Sequence, residues 1–420
     1  MNIIERGRRF VESLRELANR SLWDWRRCPY CGSVNTIKNG SYWRQPWFLH
    51  KGKQPIRVQR HLCRDCSRTY AEKSPLLVPG SWYARDVHRC AIDLWQHTGT
   101  SLRRAAEWLR SILGKQERWQ KWHPLEEKRE RTCYLAASTV HRWLDEAGEE
   151  ARESVGGQLE GLAQGKQLGT DGLWARLRGG KERVVLMLVD SVSGLIWPPI
   201  VAAREGSRKS WQRLFERAAE AGLSLEAIEA VTSDGANALR GYLQEVLSWV
   251  HQQRCVWHLW QNLSKKLPSP SEEEKEGECD QVREELVTLI HGVLDAASYE
   301  EAEVYLASLK AHRSGEKIWK FLNVHLDAAL MHLLDCHQGL IRVSPEWYWR
   351  DFRQRLSHGR NHGSEERQER AALVWAIYHN FTPAQRRSDH KRHYRHPGQS
   401  PLEAAGHPPK EITYLDALGV

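Results

Sequence analysis

Apolar and polar positions change period several times along this chain, and each change predicts an element. Leu102, Ala105, Ala106 and Leu109 fall at i, i+3, i+4 and i+7, the stripe of an amphipathic helix, and Gly99-Thr100-Ser101 before them is a cap signal. Ser138-Thr139-Val140-His141-Arg142-Trp143-Leu144 repeats the design, with Ser138 placed to cap and Val140, Trp143 and Leu144 facing inward. A highly charged stretch, Gly114 to Arg131, separates the two. Gly156-Gly157 then reads as a linker.

Beyond it the pattern becomes strand-like. Gln167 to Leu177 carries Asp171, and Val184 to Val189 is apolar throughout, as in a strand buried on both faces. Leu195 to Val201 completes an expected three-stranded antiparallel meander, followed by a helix from about Ser207 to Gly222 and a strand from Ala227 to Asp234. After the acidic Pro/Ser stretch that begins at Pro268, residues 267–343 read as helices, and the His-, Arg- and Pro-rich tail from Thr382 as extended chain.

A chain of 420 residues exceeds what one core usually organises, so several domains are expected. Lys and Arg total 62 against 53 Asp and Glu, a formal charge of +9. A surface of that sign attracts polyanions, so nucleic acid is the first partner to consider. The first 22 residues contain no apolar h-region, and nowhere do about 18 apolar residues run together, which argues against a signal peptide and a membrane span. A cytoplasmic protein is expected, nucleoid-associated in a bacterium. Of nine cysteines, four form two tight pairs while Cys90, Cys133, Cys255, Cys279 and Cys336 are scattered, a pattern of metal binding rather than of disulfides.

Cys28-Pro-Tyr-Cys31 and Cys63-Arg-Asp-Cys66 are two C-x-x-C knuckles with the 31 residues from Gly32 to Leu62 between them. Two such pairs brought together by a hairpin complete a tetrahedral Zn²⁺ site with no position left for substrate, so its role would be structural. The spacer exceeds the usual range of roughly 15–20 residues. It suits a strand from Val34 to Ile37 that turns at Asn39-Gly40, and a second from Ile56 to Leu62. Arg57, Arg60 and Arg64, with Arg26, Arg27, Lys38, Arg44 and Arg68, make this segment either a DNA-facing surface or a solvated basic face. The two helices form a bipartite helix-turn-helix, with Arg103, Arg104, Ser138, Thr139, His141 and Arg142 as its DNA-contacting candidates, or an ordinary helical hairpin.

The order strand, strand, strand, helix, strand resembles the opening of an RNase H-like fold, in which the first and fourth strands lie side by side, so Asp171 and Asp234 can approach one another. Paired carboxylates repel unless a cation lies between them, and hard oxygen ligands select Mg²⁺ or Mn²⁺. Two such ions about 4 Å apart serve in-line phosphoryl displacement. Each Asp-Gly alone is also a common turn pair.

Asp171-Gly172, Thr232-Ser-Asp234-Gly235 and Gln253-Arg-Cys255-Val-Trp-His258-Leu-Trp-Gln-Asn262 resemble the DDE transposases of the insertion-sequence and Mutator-like group. The last segment resembles that family's C-x-x-H element; Cys255 and His258 read there as a structural motif. The resemblance implies a third acid on a late helix, and Val343-Ser-Pro-Glu346-Trp-Tyr-Trp-Arg350 places it at Glu346, with Asp351 or Glu365 as alternatives. It implies a multidomain α+β protein. A zinc-ribbon DNA-binding domain would occupy residues 1–80 and a helix-turn-helix region 81–155. An RNase H-like α/β core would occupy 156–263 and 341–420, interrupted by an all-helical insertion at 264–340. The implied activity is metal-dependent cleavage and strand transfer at a mobile element's ends. Asp171, Asp234 and Glu346 would hold catalytic Mg²⁺ or Mn²⁺, and Cys28, Cys31, Cys63 and Cys66 structural Zn²⁺. Partners would be double-stranded DNA, as terminal repeats and as target, and a second copy of the chain when DNA-bound. A transposase-derived DNA-binding regulator without catalysis, and an RNase H-like nuclease, are the other readings. Trp347 and Trp349, among twenty tryptophans, are the candidates to touch DNA beside the third acid.

Overall fold

The computed structural model describes residues 26–113, 115–117, 130–132, 135–159, 162, 165–268, 276–334, 340, 348–350, 352–353, 362–383, 396, 398–407 and 413–420. Mixed α and β structure divides into two compact units, Met1–Leu144 with Val420, and Asp145–Gly419.

In the first unit, β1 (Thr36–Arg44), β4 (Ile56–Cys63) and β5 (Thr69–Ala71) form an antiparallel sheet in the order β1-β4-β5, and β2 (Trp47–Phe48) pairs with β3 (Gly52–Lys53) in the intervening loop. Asn39-Gly40 does not end the first strand as expected. The register shifts between Lys38 and Ser41 with Gly40 at φ +71°, so these residues form a bulge within β1 that the Gly backbone tolerates.

Helix α1 (Arg85–Thr98) stops at Gly99, which adopts the left-handed conformation at φ +58°. Only Thr100 and Ser101 then precede α2 (Leu102–Leu113), where the Ser101 hydroxyl accepts from the Arg104 N–H at 3.3 Å. The charged stretch that follows contains a hairpin of β6 (Lys115–Glu117) and β7 (Glu130–Thr132). Helix α3 (Ala137–Leu159) corrects two expectations. Ser138 lies inside the helix, since the Ala136 carbonyl already accepts from Thr139 and Val140, and the helix runs on through Gly156 and Gly157 instead of breaking there.

Trp143 stacks on His88 at 3.9 Å and meets Tyr83 edge-on at 5.2 Å. Burial foremost, then the charges of Arg85 and Arg142, hold the His88 imidazole down to about 3, from 6.5. Because the unfolded chain protonates first, the stability from neutral His88 is complete above pH 6.5 and falls away as pH drops toward 3, by about 2 kcal/mol at pH 5. Urea melts of the first unit should therefore show a steeper loss between pH 7 and 5 than those of His88→Gln; equal slopes would refute this.

The second unit is built on a five-stranded sheet, β10-β9-β8-β11-β12. Strands β8 (Gln167–Arg176), β9 (Glu182–Asp190) and β10 (Ile200–Ala202) are antiparallel, whereas β11 (Ala230–Ser233) runs parallel to β8 and to β12 (His251–Arg254). The first and fourth strands of this sheet are thus neighbours, as the sequence order required. The third strand is shorter than expected. Ile196 makes a single bridge to Val189, and Pro198-Pro199, which cannot donate to a ladder, delays regular pairing until Ile200.

Helix α4 (Arg208–Glu220) precedes β11, and α5 (Asn237–Val246) connects β11 to β12. Helices α6 (Val256–Ser264), α7 (Glu276–Leu294), α8 (Tyr299–Ala311) and α9 (Glu316–Ala329) share a core that includes Leu259, Leu286, Leu309 and Leu322. This helical region starts in α6, eight residues before the expected boundary at 264. Helix α10 (Glu365–Phe381) lays Ala372, Trp375 and Ala376 on the sheet face formed by Leu173, Val185, Met187 and Val189. The tail is not uniformly extended, since α11 (Pro401–Ala404) and α12 (Tyr414–Ala417) each begin with a capping box.

Trp349 is fully buried, stacked on Trp375 at 6.2 Å and packed with Phe352, so it is a core residue and not the DNA contact expected of it; Trp347 lies outside the described residues. Trp349→Ala should cost about 3–5 kcal/mol in chemical denaturation of the second unit, against a negligible cost for Val324→Ala, a residue 76% exposed on α9. Equal costs for the two would place Trp349 outside the core.

Candidate metal centres and nucleic-acid surface

At the first knuckle the Gly32 N–H donates to the Cys28 carbonyl at 2.9 Å, with Gly32 at φ +72°. At the second, Ser67, one residue past Cys66, takes the same left-handed turn at φ +59°, and the Cys63 N–H donates to the Arg68 carbonyl at 3.0 Å. These turns bring the ligand atoms of Cys28, Cys31, Cys63 and Cys66 within 4.8 Å of one another, with Cys28–Cys66 and Cys31–Cys63 sulfurs both 3.6 Å apart. Thiolates about 2.3 Å from a tetrahedral Zn²⁺ stand at nearly that mutual separation, so the four sulfurs can hold one zinc ion. The Cys66 N–H foremost, with the Asp65 N–H adding to it, draws the Cys63 thiol down to about 7 against the opposing effect of desolvation, whereas desolvation and the neighbouring thiols push Cys31 and Cys66 up, so without a cation the cluster favours one thiolate and not four.

The expected DNA-contacting residues have the exposure such a role requires in most cases. Arg57, Arg60, Arg64, Arg103, Arg104, Ser138 and Arg142 are exposed, while Thr139 and His141 are half-buried. Arg57 also donates to Ser41 Oγ at 2.8 Å. Arg44 has a different task, its guanidinium binding the carbonyls of Val78 and Ser81.

In the second unit, the β11–β8 register pairs Ala230 with Gln167 and Thr232 with Gly169, so continuing it two residues sets Asp234 level with Asp171. Asp171 is 4% exposed and its Oδ1 accepts from the Gly172 N–H at 2.8 Å; Asp234 is half-buried and its Oδ1 accepts from the Ala236 N–H at 2.8 Å. On the other side of β11, Cys255 is buried, and its N–H donates to the Ser233 carbonyl at 2.7 Å. Helix α6 starts just after it and carries His258 to Asp171, with Nε2 3.8 Å from Oδ1. The C-x-x-H element therefore does more than pack, since its histidine faces the first acid.

Two further polar groups of this region were missed in the sequence. Glu205 enters from the β10–α4 connection, its main-chain carbonyl held by Trp211 Nε1 at 2.9 Å and its carboxylate by the Trp174 side chain. Burial foremost, and then the charge of Asp234, raise it to about 7. Gly172 lies within β8 and not in a turn, and a Cβ there would stand 2.8 Å from Val184 Cγ2 and 2.9 Å from Glu205 Oε1, so the glycine after Asp171 leaves room for both side chains. The second is Arg254, whose guanidinium lies over Gly235.

Glu346 and Asp351 lie outside the described residues. Glu365, the other alternative for the third acid, is ion-paired with Arg183 at 2.6 Å and Lys181 at 3.6 Å. Asp190, at the end of β9, accepts from Val192 N–H, Ser193 N–H and Ser193 Oγ and so belongs to a turn.

Residues 199–336, about a third of the chain, match the family model described as transposase, Mutator family. The match spans Glu205, Asp234, Arg254 and His258, and it supports a Mutator-like transposase. No curated protein matches the chain. Among the described residues no helix is long and apolar enough to cross a membrane.

Proposed function

We propose that this chain is a DNA transposase in which an RNase H-like core cleaves and joins phosphodiester bonds with divalent metal ions held by Asp171, Asp234 and Glu346. The observation that carries this reading is the parallel pairing of β8, which holds Asp171, with β11, which Asp234 directly follows, inside a unit that contains the Mutator-family match. Two hard carboxylates, one buried within β8 and one half-buried just after β11, fit Mg²⁺ or Mn²⁺. Such ions, when bound, activate the attacking oxygen and stabilise the leaving one in an in-line displacement. Asp171 and Asp234 hold the cations, and His258 borders Asp171 and limits its orientations.

Glu346 is the third acid of this proposal. Trp349, three positions later, is buried on the face of Leu173, and Leu173 shares that face with Asp171 by the alternation of a strand. The ribbon and helix-turn-helix, with Arg57, Arg60, Arg64, Arg103, Arg104 and Arg142, bind the element's terminal repeats, and the zinc ion keeps the ribbon folded. Pairing two ends calls for at least two copies of the chain.

The test is Mg²⁺- or Mn²⁺-dependent cleavage and strand transfer on duplexes carrying the DNA that flanks the coding sequence. Release of free 3′ ends that join a target supports the proposal. Binding with no cleavage under any divalent ion leaves a DNA-binding regulator, and cleavage without joining leaves a nuclease.

A further inference from the structure

Gly235 follows Asp234 at φ +83°, and a Cβ on it would fall 1.1 Å from Arg254 Nη1, 2.3 Å from Cζ and 2.9 Å from Nε. The Nη1 end of the Arg254 guanidinium therefore points into the space beside the backbone just after the second acid, space that a side chain at position 235 would fill. The position is fixed from below, because Arg254 ends β12 paired with Ser233, and Cys255 N–H continues the pairing to the Ser233 carbonyl at 2.7 Å. Arg254 Nε is buried and has no hydrogen-bond partner among the described residues, and no ion pair within 4.0 Å is found there for this side chain.

A half-buried cation held in place without a bonded counter-ion is costly, and folding keeps it only where an anion repays desolvation. Burial foremost weighs against charge on Arg254, Asp234 and then Cys255 favour it, and Arg240 adds a smaller opposing effect. Burial, then Arg254 and Arg240, lowers the pKa of His325 on α9. Arg240 on α5 and His325 on α9 are thus electrostatic neighbours of Arg254. A planar guanidinium matches phosphate oxygens with two parallel N–H donors.

We propose that Arg254 grips a DNA phosphate at the reaction centre, with Arg240 and His325 as its electrostatic support and Gly235 as the gap that admits it. This rests on the reading of Asp171 and Asp234 as the metal-binding acids. The phosphate held would be the scissile one or its immediate neighbour, since Arg254 lies against Gly235, the residue that follows Asp234.

The experiment uses the full-length, zinc-loaded protein and a duplex of flanking DNA in which single phosphates are replaced, one at a time, by uncharged methylphosphonates. Binding is read with Ca²⁺ in place of Mg²⁺, and cleavage with Mg²⁺. Arg254→Gln should weaken Ca²⁺-supported binding to normal DNA about tenfold, the loss of one charge-assisted contact. At one phosphate by the cleavage point, methylphosphonate should weaken wild type by a similar factor and the variant no further. Arg254→Lys, which keeps charge but not the fork, should recover binding more than cleavage. Losses that add at every position, or an Arg254→Gln protein that binds and cleaves like wild type, would overturn the proposal. Should Asp171→Asn and Asp234→Asn cleave normally, the metal-site reading fails and this inference with it. If those two variants are inactive while Arg254→Gln is unaffected, only this inference fails.

Discussion

Asp171→Asn and Asp234→Asn should each lose Mg²⁺- and Mn²⁺-dependent DNA cleavage by at least about a thousandfold while keeping DNA affinity. Asparagine preserves the shape of both side chains, and in each case one oxygen accepts a backbone N–H, from Gly172 or from Ala236, which the amide oxygen can still do. What disappears is the negative charge that a hard cation requires. Losing a ligand removes several kcal/mol of transition-state stabilisation, and about 4 kcal/mol corresponds to about a thousandfold in rate. Glu346→Gln should behave alike. Glu365→Gln is the informative contrast, because Glu365 is committed to Arg183 and Lys181; it should lower the melting temperature and leave cleavage within about threefold. Single-turnover cleavage, with binding measured on the same DNA, separates these outcomes. Retained activity in Asp171→Asn would remove the metal-dependent mechanism, and loss in Glu365→Gln alone would move the third acid to α10.

The adjacency of β8 and β11 was legible from element order. An apolar run from Val184 to Val189 is a buried strand, a helix follows the meander, and in the RNase H-like order that this pattern resembles the next strand returns beside the first. Errors arose where one residue type serves two structural ends. Asn39-Gly40 suits a hairpin turn and equally a bulge, and cross-strand pairing out to Arg44 favours the bulge. Gly156-Gly157 lowers helix propensity, yet α3 continues past them to Leu159, and Leu159 is buried. Trp349 looked exposed in a polar, aromatic segment, but ring stacking on Trp375 comes from a helix that begins sixteen positions later in the chain.

The site's polar shell was illegible for a further reason. Asp171-Gly172 and Asp234-Gly235 both read as turn pairs, whereas each glycine leaves room for a charged side chain from elsewhere, Glu205 at the first and Arg254 at the second. The signal was present as a glycine after each acid, but its partner is set by packing of β10–α4 and of β12. His258 is similar: the C-x-x-H spacing marks it, and only the start of α6 after Cys255 shows that it reaches Asp171.

Removing zinc should unfold the ribbon while leaving the five-stranded sheet intact. The ribbon's own core is small, with Cys28, Cys63 and Tyr70 as its buried cluster, and β1 is exposed along most of its length. So little apolar burial cannot offset the entropy of ordering three strands and two knuckles, whereas a structural zinc site contributes about 10–16 kcal/mol. The expected stoichiometry is one Zn²⁺ per chain. Cys63→Ser, or a strong chelator, should release it and expose the amides of Thr36–Arg44 and Ile56–Cys63 to hydrogen exchange. Those of Val184–Val189, in a strand buried throughout, should keep their protection. Cys90→Ser, in helix α1 and apart from the four-thiol cluster, should keep the full zinc content. DNA affinity should fall with the ribbon, because Arg57, Arg60 and Arg64 are carried on β4 and the second knuckle and lose their fixed spacing. Unchanged exchange in β1 and β4 after zinc release would show that the strands hold themselves, and unchanged DNA affinity would move recognition to the helices that bear Arg103, Arg104 and Arg142.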